Sequence, residues 1–222
     1  MRPSHRLFAL LPSLALAAGL AGFGCAGGHE DGAADSQPSG SAYDGPMVDP
    51  EVAVINVEGM GEMVVELLPG KAPRTVANFK KLVREGFYDG TTFHRVVPGF
   101  MIQGGDANTK DRDPRNDGRG GPGYTIPGEF SDVKHVRGIV SMARRSSPDS
   151  GGSQFFVIVD DAPNLDGQYA AFGRVVSGIE VADKVVAVPR DEFGRHGPRD
   201  RPLEDVRMTI RLEPAEASTG SG

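Results

Sequence analysis

The sequence predicts a mainly β domain, built as an antiparallel barrel with α-helical caps. Short apolar runs that are typical of strands recur along the chain, and only two stretches with helical periodicity lie between them. The 222 residues include 31 glycines and 17 prolines but no tryptophan, a composition typical of many short strands joined by tight turns.

Apolar runs rich in β-branched residues and bounded by turn residues predict the strands. The first two runs, residues 51–57 and 62–68, are joined by Glu58-Gly59-Met60-Gly61, which is a hairpin signal. Further strands are predicted at residues 91–101, 138–143, 153–159, 171–176 and 207–213.

Two helices are predicted from apolar stripes with a period near 3.6 residues. Pro73 begins the first, at a position that proline tolerates, and Gly86 follows its end. The apolar stripe of this helix consists of Val76, Phe79, Leu82 and Val83. The second helix is marked by Ile179, Ala182, Val185 and Val186 and is closed by Pro189.

Residues 93–106, F-H-R-V-V-P-G-F-M-I-Q-G-G-D, carry the strongest functional signal. Arg95 lies there among apolar residues, and an unpaired guanidinium in a buried strand is unfavourable. Arg95 therefore either has a buried acidic partner or faces a cleft that receives a ligand. Read as one strand kinked at Pro98-Gly99, the run places Arg95, Met101 and Gln103 on one surface.

Other segments extend this signal into a family resemblance. They are G-R-G-G-P-G-Y at 118–124, G-I-V-S-M-A at 138–143, G-S-Q-F-F at 152–156, L-D-G at 165–167 and F-G at 172–173. Over roughly residues 50–213 the chain resembles the cyclophilins, the peptidyl-prolyl cis-trans isomerases of the cyclosporin-binding family. The resemblance implies a closed eight-stranded antiparallel barrel with a helix over each end, in a domain that spans residues 48–214. It also implies an enzyme that needs no cofactor and acts on proline-containing polypeptides.

The resemblance assigns Arg95 as the catalytic arginine and Gln103 as the residue that orients it and the substrate carbonyl. The implied substrate-binding residues are Phe100, Met101, Phe156 and Leu165 around the proline, Ala143, Arg144 and Gln154 in the groove beside it, and Asn164 and Tyr169 at the rim. Well-known members carry Asn in place of Arg144, Trp in place of Asn164 and His in place of Tyr169. We expect the backbone role of Arg144 to persist, and cyclosporin binding to be weak without the rim tryptophan.

The N-terminal residues predict export. Residues 1–24 combine a basic start with an uncharged apolar run, which is typical of a signal peptide, although a permanent membrane anchor is an alternative. Cys25, the single cysteine, follows at once and predicts a lipidated lipoprotein, despite the imperfect lipobox Gly22-Phe23-Gly24. Cleavage without lipidation, giving a secreted protein, is the other alternative. Residues 25–47 predict a flexible linker and 215–222 a disordered tail.

The charge balance excludes some partners. The chain has 24 basic and 30 acidic residues and a net charge of −6; loss of Arg2 and Arg6 with the signal leaves 22 basic residues and a net charge of −8. Such a domain is not expected to bind nucleic acid, or a membrane except through its lipid. The five histidines have no metal-ligand spacing, and His94 is interpreted as a hydrogen-bonded barrel residue.

The family resemblance and the N-terminal residues together make a prolyl isomerase for exported proteins the leading prediction. A non-catalytic proline-binding module or chaperone is the alternative.

Overall fold

The computed structural model of the protein describes residues 49–215. The predicted signal peptide, Cys25 and the predicted linker lie outside the described residues, as do residues 216–222 of the predicted tail. Within the described part the strands are β1 Glu51–Val57, β2 Gly61–Leu67, β3 Phe93–Val97, β4 Met101–Gly104, β5 Ile139–Met142, β6 Phe155–Ile158, β7 Ala170–Ser177, β8 Arg190–Asp191, β9 Arg201–Pro202 and β10 Met208–Pro214. The helices are α1 Pro73–Arg84 and α2 Ile179–Val186.

Eight of these strands form one antiparallel sheet in the order β10-β1-β2-β7-β5-β6-β4-β3, and β8 pairs only with β9. The sheet curls strongly, and its two end segments approach each other at an isolated bridge between Thr92 and Arg207. The N–H of Phe93 also donates to the carbonyl of Val206 at 2.9 Å. The mainly β architecture with two helices is confirmed. The closed barrel is not shown, because β3 and β10 do not pair as strands and the sheet is a curled half-barrel.

An aromatic cluster fills the inside of the curled sheet. The ring of Phe79 on α1 lies 5.3 Å from that of Tyr88, 5.9 Å from Phe155 and 5.1 Å from Phe172, measured between centroids. All four rings are essentially inaccessible to solvent. The predicted apolar stripe of α1 therefore faces the core, and α2 packs against β2, β3 and β4.

The start of α1 depends on a residue far away in the sequence. Ala72, the residue before the helix, offers no side-chain cap, and the first turn contains no acidic residue. Glu129 supplies a carboxylate instead, which accepts the N–H of Arg74 at 3.0 Å, and the N–H and hydroxyl of Thr75 at 2.7 and 2.8 Å. A carboxylate in this position satisfies free N–H groups and interacts favourably with the helix dipole.

The predicted single strand 91–101 is wrong, because the chain reverses within it. Pro98 and Gly99 form a tight turn, in which the N–H of Phe100 donates to the carbonyl of Val97 at 3.1 Å and Gly99 has φ 68°. Glycine tolerates this positive φ without strain. Strands β3 and β4 consequently pair as a hairpin with Arg95 opposite Gln103, so these two residues share a face as cross-strand neighbours.

Within residues 49–215, no helix is both long and apolar enough to cross a bilayer. In the same range, no group of three or more His, Cys, Asp or Glu side chains is arranged to hold a metal ion.

Candidate active site

A cavity of about 290 Å³ lies where β3, β4, β5 and β6 meet the segment before β7. Its lining consists of Arg95, Phe100, Met101, Gln103, Ala143, Arg144, Phe156, Leu165 and Tyr169. All nine are residues that the sequence resemblance assigned to the site. Of the remaining assigned residues, Gln154 is hydrogen-bonded to Gln103 and lines the adjoining groove, and Asn164 is exposed outside the cavity.

The polar side of this cavity is formed by Arg95 and Gln103, and the side-chain amide of Gln103 is hydrogen-bonded to that of Gln154. Arg95 is partly buried and has no acidic partner among residues 49–215, so within this range it faces a cleft without an ion pair. The Nε2 of Gln103 donates to the Oε1 of Gln154 at 3.0 Å, and the Nε2 of Gln154 donates to the carbonyl of Gly120 at 2.8 Å. Two consecutive hydrogen bonds thus hold the carboxamide of Gln103 in place beside the guanidinium.

The apolar side comes from three separate elements. Phe156 on β6 is paired with Gln103 on β4, and Met101 precedes that pair on the same strand. Leu165 ends the short helical turn Pro163–Leu165, where its N–H donates to the carbonyl of Ala162 at 3.0 Å. Met101, Phe156 and Leu165 are all at least nine-tenths buried, so the wall of the cavity is rigid and largely apolar.

A buried histidine supports this wall from behind, and sequence reasoning missed it. The ring of His135 stacks on Phe156 at 6.3 Å between centroids. Its Nδ1 lies 3.3 Å from Oδ1 of Asp166, and its Nε2 lies 2.9 Å from Oγ of Ser141. Burial lowers the pKa of His135, while the backbone N–H of His135 lowers the pKa of Asp166. Ser141 is fully buried, so this Ser-His-Asp group is a support for Phe156 and not a nucleophile.

The rim has contacts that the sequence did not predict. The guanidinium carbon of Arg144 lies 4.8 Å above the ring of Tyr169, and its Nε donates to the carbonyl of Gln168 at 2.9 Å. The carbonyl of Asn164 accepts a hydrogen bond from the Gln168 side chain at 2.7 Å. Arg144 therefore contributes its side chain to the rim in addition to the backbone role expected of it.

His94 is a buried residue of β3, as expected of a barrel histidine, but its ring does not make the hydrogen bonds that this interpretation predicts. His94 is 2% exposed, and neither ring nitrogen has a hydrogen-bond partner within residues 49–215. Burial lowers the pKa of His94 to about 4, so its ring is neutral near pH 7.

Comparisons with known proteins agree with this geometry. The family model described as "Cyclophilin type peptidyl-prolyl cis-trans isomerase/CLD" matches residues 52–211. A Brucella suis protein named "Probable peptidyl-prolyl cis-trans isomerase" is 47% identical over an alignment of 179 residues, and the match covers 78% of this chain and 90% of the relative. Peptidyl-prolyl cis-trans isomerase B of Bacillus subtilis is 48% identical over 128 residues, covering 57% and 84% of the two chains.

The solved structures that resemble this chain are also cyclophilins. A cyclophilin type peptidyl-prolyl cis-trans isomerase of Cryptosporidium parvum, crystallised in the presence of the dipeptide Ala-Pro, superimposes with a TM-score of 0.64 at 30% identity. The match covers 74% of this chain and 99% of that one. A cyclophilin of Hirschia baltica matches with a TM-score of 0.56 at 28% identity, and the match covers 74% of each chain.

Proposed function

The chain belongs to the cyclophilin-type peptidyl-prolyl cis-trans isomerases, and on that basis we propose that Arg95 and the 290 Å³ cavity beside it form its active site. The activity of the family is the acceleration of rotation about Xaa-Pro bonds. The observation that carries the site assignment is a guanidinium that has no acidic partner in residues 49–215 and that faces a cavity with one apolar wall.

The reaction requires stabilisation of a twisted amide. The barrier to rotation is about 18–20 kcal/mol, because amide resonance is lost when the bond turns. The proline nitrogen then becomes pyramidal and recovers its lone pair, which can accept a hydrogen bond. A guanidinium N–H of Arg95 aimed at that nitrogen stabilises the twisted form more than either planar form, and this difference lowers the barrier. Gln103, opposite Arg95 and held by Gln154, orients the substrate carbonyl.

The apolar wall places the substrate. In our proposal the proline ring enters between Phe100, Met101, Phe156 and Leu165. The apolar side chains of this wall also disfavour the charge-separated resonance form of a planar amide that packs against them. The presence of Ala-Pro in crystals of the Cryptosporidium parvum relative supports a proline-containing peptide as the ligand.

Substitution of Arg95 tests the assignment. We expect Arg95→Ala to keep the fold and to lose about 100- to 1000-fold in kcat/KM, the usual loss when one positioned donor is removed. Arg95→Lys should also be strongly impaired, since an ammonium does not reproduce the planar guanidinium. The measurements are protease-coupled isomerisation of an Xaa-Pro peptide and circular dichroism. Arg199→Ala, in an exposed position outside the cavity, is the matched control. A folded Arg95→Ala protein with near-native turnover would disprove the assignment.

We further propose that the enzyme acts outside the cytoplasm, anchored by a lipid on Cys25, and assists the folding of exported proteins. Support comes from the basic start, the uncharged apolar run and the single cysteine that follows it. Labelling cells with a fatty-acid analogue should mark the wild-type protein but not Cys25→Ser, and fractionation should find only the wild type on the membrane. Equal release of both proteins in soluble form would contradict the anchor.

We also propose that cyclosporin binds this enzyme only weakly. The support is the chemistry of Asn164, which offers little apolar area where well-known members carry a tryptophan indole. The position is exposed, so that water competes for its polar group.

A further inference from the structure

A second cavity, of about 660 Å³, adjoins the first at the catalytic hairpin. Arg95 and Gln103 border it as well as the proline cavity. Its far side is formed by the loop between β8 and β9, including Arg195 and His196, and by Arg115 and Arg119. The isomerisation mechanism uses none of these four outer residues. We call this space the arginine cavity.

The arginine cavity carries an excess of positive charge. Asp117 is its one acidic lining residue in the described part of the chain, and the Nε of Arg201 lies 2.7 Å from its carboxylate. Arg115 is paired with Asp113 at 2.7 Å. Arg95, Arg119 and Arg195 have no ion-pair partner among residues 49–215. Three uncompensated arginines around one space contrast with the net charge of −6 of the whole chain.

His94 is a second unusual polar residue beside this cavity. It is one of the lining residues, and its ring is buried with neither nitrogen hydrogen-bonded to a described residue. Buried polar atoms without partners are unfavourable and uncommon. No side chain lies between the ring and the cavity at Gly118, where an added Cβ would be 3.8 Å from Nε2 of His94.

The loop that completes the cavity is held by hydrogen bonds. The carboxylate of Asp191 accepts the N–H of His196 at 2.6 Å and that of Phe193 at 3.3 Å. The guanidinium of Arg195 lies 5.0 Å from the ring of Phe193, and both side chains are exposed. The hydrogen bonds to Asp191 order the backbone of the loop, which reduces the freedom it loses when a ligand binds.

We propose that the arginine cavity binds the carboxylate of an Asp or Glu side chain close to the isomerised proline. The proposal rests on the proposed active site, because Arg95 and Gln103 border both cavities and a polypeptide bound in one passes beside the other. The planar guanidinium matches a carboxylate in geometry as well as in charge. The preferred substrates are thus Xaa-Pro segments with a nearby acidic residue. A free phosphate or sulfate ion shares this chemistry and must be distinguished by experiment.

Matched peptides test the proposal. Glu is compared with Gln at each of the three positions on either side of the proline, and kcat/KM is measured at low salt. At one position or more we expect the Glu peptide to be favoured about fivefold, the upper range for a partly exposed charge pair. The preference should fall towards one in Arg195→Gln and in Arg119→Gln, and also at high salt. Arg199→Gln, in the same loop but outside the cavity, should retain it.

Three results would overturn the proposal. They are equal turnover of Glu and Gln peptides at every position, a Glu preference that survives both Arg195→Gln and Arg119→Gln, and inhibition by sulfate at constant ionic strength without any Glu preference. The last result would identify a site for free anions. Absence of turnover with every peptide, including the Gln series, would instead refute the active site on which the proposal rests.

Discussion

Acid should destabilise this protein through His94, by an amount that follows from its burial. The folded-state pKa of His94 is lowered to about 4, against 6.5 for a free histidine. Between these two values the unfolded chain binds more protons than the folded protein, so the free energy of unfolding falls as the pH falls. At about 1.4 kcal/mol for each pH unit, His94 alone removes about 3 kcal/mol of stability between about pH 6.5 and pH 4.

The measurement is urea denaturation of the wild type and of His94→Gln across this pH range. Gln is neutral at every pH, so the variant lacks the contribution of the ring. Carboxylates remote from His94 destabilise both proteins equally as they take up protons, so their effects cancel in the difference; Glu51, whose pKa is lowered by its hydrogen bond to Lys80, is an example. The charge of Asp106 favours protonation of His94, so its effect is part of the His94 contribution. We expect the wild type to lose about 3 kcal/mol more than the variant. His196→Gln, at the surface, is the control and should follow the wild type.

Parallel curves for the wild type and His94→Gln would refute the reasoning. Such a result would mean that the ring of His94 can take up a proton in the folded state without cost, and hence that it has a partner there. A wild type that becomes more stable as the pH falls below about 6.5 would contradict the sign as well.

Three further predictions follow from single positions. Glu129→Ala should lower the free energy of unfolding by about 2 kcal/mol, because α1 loses the carboxylate at its first turn; urea denaturation measures this loss. Gly120→Ala should reduce stability, because a Cβ there would overlap the carboxylate of Asp106. It should also reduce turnover, because the carbonyl of Gly120 holds Gln154 and through it Gln103; unchanged turnover would show that the loop around Gly120 adjusts. Asn164→Trp should strengthen inhibition by cyclosporin by up to two decades, since roughly 100 Å² of apolar contact at about 25 cal/mol per Å² contributes about 2.5 kcal/mol. No gain would show that position 164 is not part of the rim.

Local sequence signals predicted most of the secondary structure. Pro73 and Gly86 bound α1 as expected, because proline at the first turn and a glycine with positive φ after the last one act through their own backbones. The sequence predicts a kink at Pro98-Gly99, whereas in the structure the chain reverses there. Pro98 and Gly99 are compatible with a kink and with a reversal. In the reversed chain β4 can also pair with β6, more than 50 residues later, and a local pattern contains no information on that pairing.

In the candidate site, too, residues within sequence motifs were predicted, whereas contacts between residues far apart in the sequence were not. Seven of the nine lining residues belong to contiguous motifs, and the other two, Arg144 and Tyr169, lie within two residues of one, so the family resemblance assigned them all. The His135 support and the Glu129 cap were missed, because each depends on partners that are not adjacent in sequence. Asp166 is 31 residues from His135, and Thr75 is 54 residues from Glu129. Propensity and periodicity contain no information on such pairs.

The pairing of β1 with β10 determines when the domain can be completed. Glu51 lies opposite Pro214, and the N–H of Ala215 donates to the carbonyl of Pro50 at 2.7 Å, so the two ends of the described chain meet. Synthesis proceeds from the N-terminus, and β1 is therefore made first but covered last. Until the final strand emerges, one edge of β1 presents unpaired N–H and C=O groups to any other extended chain. The domain thus has a vulnerable interval of its own, which lasts while the residues between β1 and β10 are synthesised.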